Sequence, residues 1–262
     1  MKIGISYFNL DKIADSGQCF RWVQIGNGSY HIRAFGKMLK ATQVTPDIIE
    51  VDCTPHEWAR IWTRYFDLET DYGSIVATID PRDTYLTAAA KSACGIRILR
   101  QELWETIASF IISQNNNIPR IKGTIQKLCS FFGSFPSANT LNLCNLESLR
   151  SVGLGYRAEY LAEAAARYLF DEPEELCSRM SLEESRMYFL TYNGIGPKVA
   201  DCICLFGLGH KGAFPVDTWI KRIITTHYNG RFPIERYRPF AGVLQQFMFY
   251  HERIGGTAIE NI

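Results

Sequence analysis

The hydrophobic period of this 262-residue chain changes at Pro55. Before it, apolar residues alternate in short runs at 20–25, 29–35, 38–44 and 47–52, parted by Gly26-Asn27-Gly28 and Gly36-Lys37. Short alternating runs joined by glycine turns predict an antiparallel meander. After it, Trp58, Ile61, Trp62 and Tyr65 share one helical face, as do Leu103, Trp104, Ile107, Phe110 and Ile111. Helical periodicity continues over roughly 118–132, 157–169, 181–191, 197–208, 217–228 and 233–251. The expected class is α+β: an N-terminal antiparallel β domain over 1–54, then an all-helical body over 55–262 holding the active-site cleft. No helical repeat of fixed period and no low-complexity linker interrupts it.

Composition excludes several classes. Hydrophobic residues make up 47% and charged residues 21%, too apolar for a disordered chain. No run of eighteen apolar residues occurs, so no membrane span is expected. Asp11 and Asp15 come too early for a signal-peptide core. Twenty-eight Lys and Arg against 27 Asp and Glu leave +1, which neither announces nor excludes nucleic acid, because phosphate binding is local. The eight cysteines contain no C-x-x-C pair, so zinc and iron–sulfur spacings are absent and reduced thiols are expected.

The most informative segment is Leu190-Thr191-Tyr192-Asn193-Gly194-Ile195-Gly196-Pro197-Lys198-Val199-Ala200-Asp201-Cys202. One amphipathic helix ends in a Gly-x-Gly turn, and Pro197 suits the first position of the next. The amides of Gly194, Ile195 and Gly196, backed by a helix dipole, can hold a DNA phosphate. A plain αα-hairpin fits the same residues. Lys198 falls in the first helical turn, where a cation opposes the dipole and the neutral, nucleophilic amine is favoured. A solvated lysine fits equally. Asp217, in Phe214-Pro215-Val216-Asp217, precedes another helix, where it can serve as N-cap or as an anion beside a cationic sugar.

Together, Gly-Ile-Gly-Pro-Lys-Val-Ala-Asp-Cys and Phe-Pro-Val-Asp resemble the helix–hairpin–helix DNA glycosylases. Gly17-Gln18-Cys19-Phe20-Arg21-Trp22, Ser113-Gln114-Asn115-Asn116-Asn117-Ile118-Pro119-Arg120-Ile121 and Gly153-Leu154-Gly155-Tyr156-Arg157-Ala158 are similar to the 8-oxoguanine branch. These motifs run in family order from residue 17 to about 249.

That resemblance implies a base-excision enzyme acting on duplex DNA that contains 8-oxoguanine opposite cytosine. Base flipping leaves a gap that protein must fill. Asn115 would enter the gap, Arg120 and Arg157 would bond the orphaned cytosine, and Tyr156 would wedge beside it. Gly17 would offer its carbonyl to the N7–H found in 8-oxoguanine and not in guanine. Gln245 and Phe249, four apart on the last helix, would bond the base edge and stack on its face, with Cys202 on the other side. Lys198 would form a Schiff base with the sugar and nick the strand by β-elimination, and Asp217 would stabilise the cationic sugar. No cofactor is implied beyond a structural monovalent or divalent cation on the carbonyls of Leu190, Tyr192 and Ile195.

Trp219 stands where the family often has His, and Cys19 where the branch often has Ser. The chain closes at Ile262, soon after the Phe249 helix, which suggests a compact form of the fold. The iron–sulfur loop of the endonuclease III branch is absent. A monomer working where the cell keeps its DNA is expected: nucleoid-associated cytoplasm in a bacterium, the nucleus in a eukaryote. The alternatives are a related glycosylase for another damaged base, which the cytosine-reading set opposes, and a noncatalytic DNA-binding protein, which Lys198 together with Asp217 opposes.

Overall fold

The computed structural model describes residues 1–259, with side chains as far as residue 255; Ile262 lies outside the described residues. The chain forms two compact units, one of residues 1–100 with 211 onward, the other of residues 101–210.

The first unit opens with a five-stranded antiparallel sheet. Strands β1 (Lys2–Gly4), β2 (Val23–Gly26), β3 (Ser29–Ala34), β4 (Lys37–Thr45) and β5 (Ile48–Val51) stand in the order β1-β5-β4-β3-β2. Phe35 and Gly36 both take positive φ between β3 and β4, as a tight hairpin turn requires. The expected meander is β2 to β5; its first run begins three residues late, at Val23. Edge strand β1 was not expected. Its register, Lys2 opposite Glu50 and Ile3 opposite Ile49, depends on residues nearly fifty positions away.

One face of the sheet is buried: Tyr30, Ile32 and Ala34 on β3, Leu39 and Ala41 on β4, Ile49 and Val51 on β5. Against it pack Trp58, Trp62 and Tyr65, from a helical run over 55–65 whose middle, Trp58–Trp62, is a π-turn, and Phe66 directly after that run. Thr54 starts that run by accepting from the Glu57 amide at 3.1 Å. Residue 54 therefore marks the change from strand to helix, whereas the compact unit continues to residue 100, because the sheet's apolar face needs those aromatics to cover it.

Helix α1 (Leu10–Asp15) lies between β1 and β2, and α2 (Thr84–Ser92) follows the aromatic run. Asp67, 2% exposed, bonds Arg100 Nε and Lys211 Nζ at 3.1 Å each, tying the end of the unit's first segment to the start of its second.

In the second unit, α3 (Leu103–Ile112) is buried along almost its whole length. Helix α4 (Ile118–Phe132) ends at Gly133 with φ of 79°. Helix α5 (Arg157–Asp171) follows, then α6 (Leu182–Leu190), begun by a Ser181/Glu184 capping box, and α7 (Pro197–Cys202), which continues as the π-turn Ile203–Gly207.

Back in the first unit, α8 (Thr218–His227) precedes α9 (Ala241–Ile259), which packs against α2. The single helix expected over 233–251 is divided. A 3-10 turn covers Ile234–Tyr237 and α9 begins only at Ala241. Pro239 accounts for the break: it lacks an N–H and drives Arg238 to extended backbone, with ψ of 138°.

Candidate functional site

The second unit holds the hairpin between α6 and α7. Gly194 takes φ of 77°, and a Cβ there would lie 2.5 Å from the Tyr160 ring. Only glycine meets both conditions. Ile195 is buried, and its amide donates to the Tyr192 carbonyl at 3.1 Å. Gly196 is the N-cap residue of α7, so Pro197 and Lys198 occupy its first turn, where amides lack helical acceptors. Lys198 is half-buried, with Nζ 5.0 Å from the centre of the Phe110 ring. Cys202 lies one turn further along α7 and is 2% exposed. Asp201, beside it, meets Arg186 Nε at 2.9 Å, an ion pair without hydrogen-bond alignment that links α7 to α6. Burial outweighs that pairing and pushes the Asp201 carboxyl up to about 6.

The turn between α3 and α4 divides its three asparagines by task. Asn116 Nδ2 donates to the Ile112 carbonyl at 3.2 Å and closes α3. Asn117 starts α4 by accepting from the Arg120 amide at 3.0 Å. Asn115 is exposed, takes φ of 47°, and donates to Tyr156 Oη at 3.1 Å. Arg120 is exposed on the first turn of α4, and Tyr156 is exposed just before α5. Arg157 differs from the outward fork that the motif suggests. It is 7% exposed and donates to the carbonyls of Gln114 (Nε at 3.0 Å) and Asn115 (Nη2 at 3.2 Å). Its guanidinium also lies 4.6 Å from the centre of the Tyr156 ring. Asn115, Tyr156 and Arg157 thus form one group.

The first unit holds the remaining residues. Gly17 takes φ of 77° between two fully buried neighbours, Ser16 and Gln18. Gln18 accepts from the Leu99 amide at 2.7 Å and donates to the Arg97 carbonyl at 2.9 Å. Gln246 of α9 donates to the Ser16 carbonyl at 2.7 Å. Its neighbour Gln245 is 5% exposed, and Oε1 is buried without a hydrogen-bond partner. Phe249, one turn on, is half-buried under Arg253, whose Cζ is 5.7 Å from the ring centre. The Gly17 segment is thus joined to the helix that carries Gln245 and Phe249 by Gln246 and also by Arg253, whose Nη2 meets Asp15 Oδ1 at 3.1 Å. Asp217 caps α8, accepting from the Ile220 amide at 2.8 Å. Arg222 lies 5.0 Å from the centre of the half-exposed Trp219 ring, and Cys19 is buried.

Sequence reasoning missed Gln18, Gln246 and Tyr160, which hold site residues through contacts that no local spacing signals. Gln114, beside Asn115, also has a buried Nε2 without a partner. Among the described residues, no group of three His, Cys, Asp or Glu side chains could hold a metal ion, and no helix is long and apolar enough to cross a membrane.

Residues 1–107 match the family model described as 8-oxoguanine DNA glycosylase, N-terminal domain, and residues 108–232 the HhH-GPD superfamily base excision DNA repair protein. An N-glycosylase/DNA lyase of Saccharomyces cerevisiae is 32% identical over 266 residues, spanning 87% of this chain and 70% of that protein. The structure of MBOgg1 with a low-affinity DNA ligand superposes with a TM-score of 0.90 at 37% identity, covering 97% of this chain and 96% of that one. The Clostridium acetobutylicum 8-oxoguanine glycosylase/lyase, bound to duplex DNA with cytosine opposite 8-oxoguanine, gives 0.89 at 33% identity, covering 96% and 93%. The fold, the ordered motifs and these matches place the chain in the 8-oxoguanine DNA glycosylase family.

Proposed function

We propose that this protein excises 8-oxoguanine paired with cytosine from duplex DNA and nicks the abasic strand. The observation that carries this reading is Lys198: a half-buried primary amine in the first turn of α7, directly after a glycine hairpin suited to a DNA phosphate.

The base must leave the stack before chemistry, at a cost of about a few kcal/mol. Asn115 enters the vacated space and offers both a donor and an acceptor to the orphaned cytosine. Arg120 adds donors to it, Tyr156 stacks beside it, and Arg157 keeps the turn in place. In the lesion pocket the Gly17 carbonyl accepts the N7–H that only the oxidised base carries. The unpartnered Gln245 Oε1 is then satisfied by the base edge, and Phe249 and Cys202 take the two faces of the ring.

Lys198 Nζ forms a bond to C1′ as the C1′–N9 bond breaks and the base departs with a proton. Ring opening yields the iminium. Loss of a C2′ proton then expels the 3′ phosphate. Asp217 stabilises positive charge on the sugar while it develops. The protein works as a monomer on the cell's DNA. This chemistry needs no redox or organic cofactor. The carbonyls of Leu190, Tyr192 and Ile195 supply hard oxygens near a helix C-terminus, suited to a structural monovalent or divalent cation that would steady the hairpin.

The test is a labelled duplex with one 8-oxoguanine opposite cytosine, incubated with and without sodium borohydride. A nick and a trapped protein–DNA adduct, both lost in Lys198→Gln while duplex binding persists, are expected. Nicking retained in Lys198→Gln overturns the nucleophile. Binding without nick or adduct from the unaltered protein overturns the activity.

A further inference from the structure

Helix α5 carries Arg157, Tyr160, Glu163, Arg167 and Asp171 at spacings of three, three, four and four, so all five lie on one stripe. At its start, Arg157 holds the turn that presents Asn115. The next members meet the hairpin. The Tyr160 ring fills the space beside Gly194. Glu163 Oε2 accepts from Asn193 Nδ2 at 2.9 Å. Arg167 Nη1 donates to the Thr191 carbonyl at 2.6 Å, and its guanidinium lies 4.3 Å from the centre of the Tyr192 ring. Asp171 fixes Arg167 at 3.0 Å and accepts from Tyr188 Oη at 2.7 Å, and Tyr188 Oη meets Tyr192 Oη at 2.9 Å.

Thr191 sits immediately beyond the end of α6, where carbonyls lack helical donors and the helix dipole is negative. A guanidinium there satisfies a carbonyl and offsets that charge. The ring contact restrains Tyr192, whose carbonyl receives the Ile195 amide of the turn.

We propose that α5 is the element that holds the gap-filling turn and the phosphate hairpin in register, with Arg167 as the positioning residue of the hairpin. The proposal rests on the DNA-repair reading above for the role of those two loops. The contacts of Arg167 lie with Asp171, Thr191 and the rings of Tyr188 and Tyr192. Arg167 acts through Thr191 and Tyr192 on the backbone of residues 193–196.

The test compares the full-length protein with Arg167→Met, which keeps the apolar stem, and Arg167→Lys, which keeps the charge. Hydrogen exchange is followed residue by residue, affinity is measured on an undamaged duplex, and base release on 8-oxoguanine DNA is timed at saturating enzyme. Arg167→Met is expected to speed exchange selectively over 192–196 and to weaken duplex binding by up to about tenfold, the limit reached when the whole contribution of that intramolecular charged hydrogen bond goes to ordering the hairpin for the phosphate. Base release from the saturated complex stays close to wild type, and Arg167→Lys recovers part of the affinity. Unchanged exchange over 192–196 with unchanged affinity overturns the proposal. Exchange raised evenly across residues 101–210 also overturns it, because it marks a general packing role. If the wild-type protein fails to release 8-oxoguanine, the repair reading fails, while exchange and undamaged-duplex affinity still decide the role of Arg167.

Discussion

Arg157 Nε lies 3.0 Å from the Gln114 carbonyl, so the first residue of α5 holds the turn between α3 and α4. The planar guanidinium reaches the Asn115 carbonyl as well. The side chain that carries the motif's charge is thereby engaged with main chain, and the exposed residue it steadies is Asn115.

Replacing Arg157 by Ala leaves the part-buried carbonyls of Gln114 and Asn115 without these donors. We expect a stability loss of about 2 kcal/mol and a relaxed preference for cytosine opposite the lesion. Arg157→Lys restores little, because one ammonium cannot reproduce a fork directed at several carbonyls. Urea denaturation and excision from the four opposite-base duplexes measure both effects. Wild-type stability in Arg157→Ala counts against this role.

Gly194→Ala meets two penalties at once. Positive φ costs an L-residue about 1–2 kcal/mol, and the new methyl collides with the Tyr160 ring. Duplex affinity is expected to fall along with the melting temperature. The double variant Gly194→Ala/Tyr160→Ala relieves the collision and keeps the backbone strain, so it recovers only part of the stability. Full recovery would assign the whole penalty to the ring contact.

Gln245 keeps a buried amide oxygen unpartnered, a condition that costs about 1–3 kcal/mol. Gln245→Leu is similar in size and removes that oxygen. Its melting temperature should equal or exceed wild type while 8-oxoguanine release falls sharply. A thermal scan and a single-turnover assay suffice, and a destabilised Gln245→Leu protein would contradict this account of the residue.

Asp201 sets a pH dependence. Burial raises its carboxyl from 3.8 to about 6, with Arg186 opposing and Glu183 reinforcing the rise. Because the folded value exceeds the unfolded one, folding favours the protonated form. Its contribution is complete below about pH 4 and is lost as pH rises through about 6, a change of about 3 kcal/mol. Asp201→Asn should flatten the stability profile between those values. Denaturant midpoints from pH 4 to 7.5 provide the check, and an unaltered profile would show that Asp201 does not titrate there.

The hairpin was legible in the sequence because its requirements are local. Gly194 supplies the positive φ of the turn and Pro197 the first position of the next helix, within four contiguous residues, and Lys198 follows by position alone. The strands from β2 to β5 were legible for the same reason, since their turns and alternation lie within each run. Gly17 and Asn115 stand where the family motifs indicate, each with positive φ. The break at Pro239 was also local, and the apolar period across it concealed it.

By itself the sequence determined the strands β2 to β5, the hairpin and most of the helical segments, because φ/ψ limits and hydrophobic period act within a few residues. The tertiary structure alone decided the partners. It paired β1 with β5, brought the aromatic run of 55–66 onto the sheet, turned Arg157 toward main-chain carbonyls, and set Tyr160 and Arg167 against the hairpin. Those contacts join residues tens of positions apart, and they arise from packing and the need to satisfy buried polar groups, which no local pattern encodes.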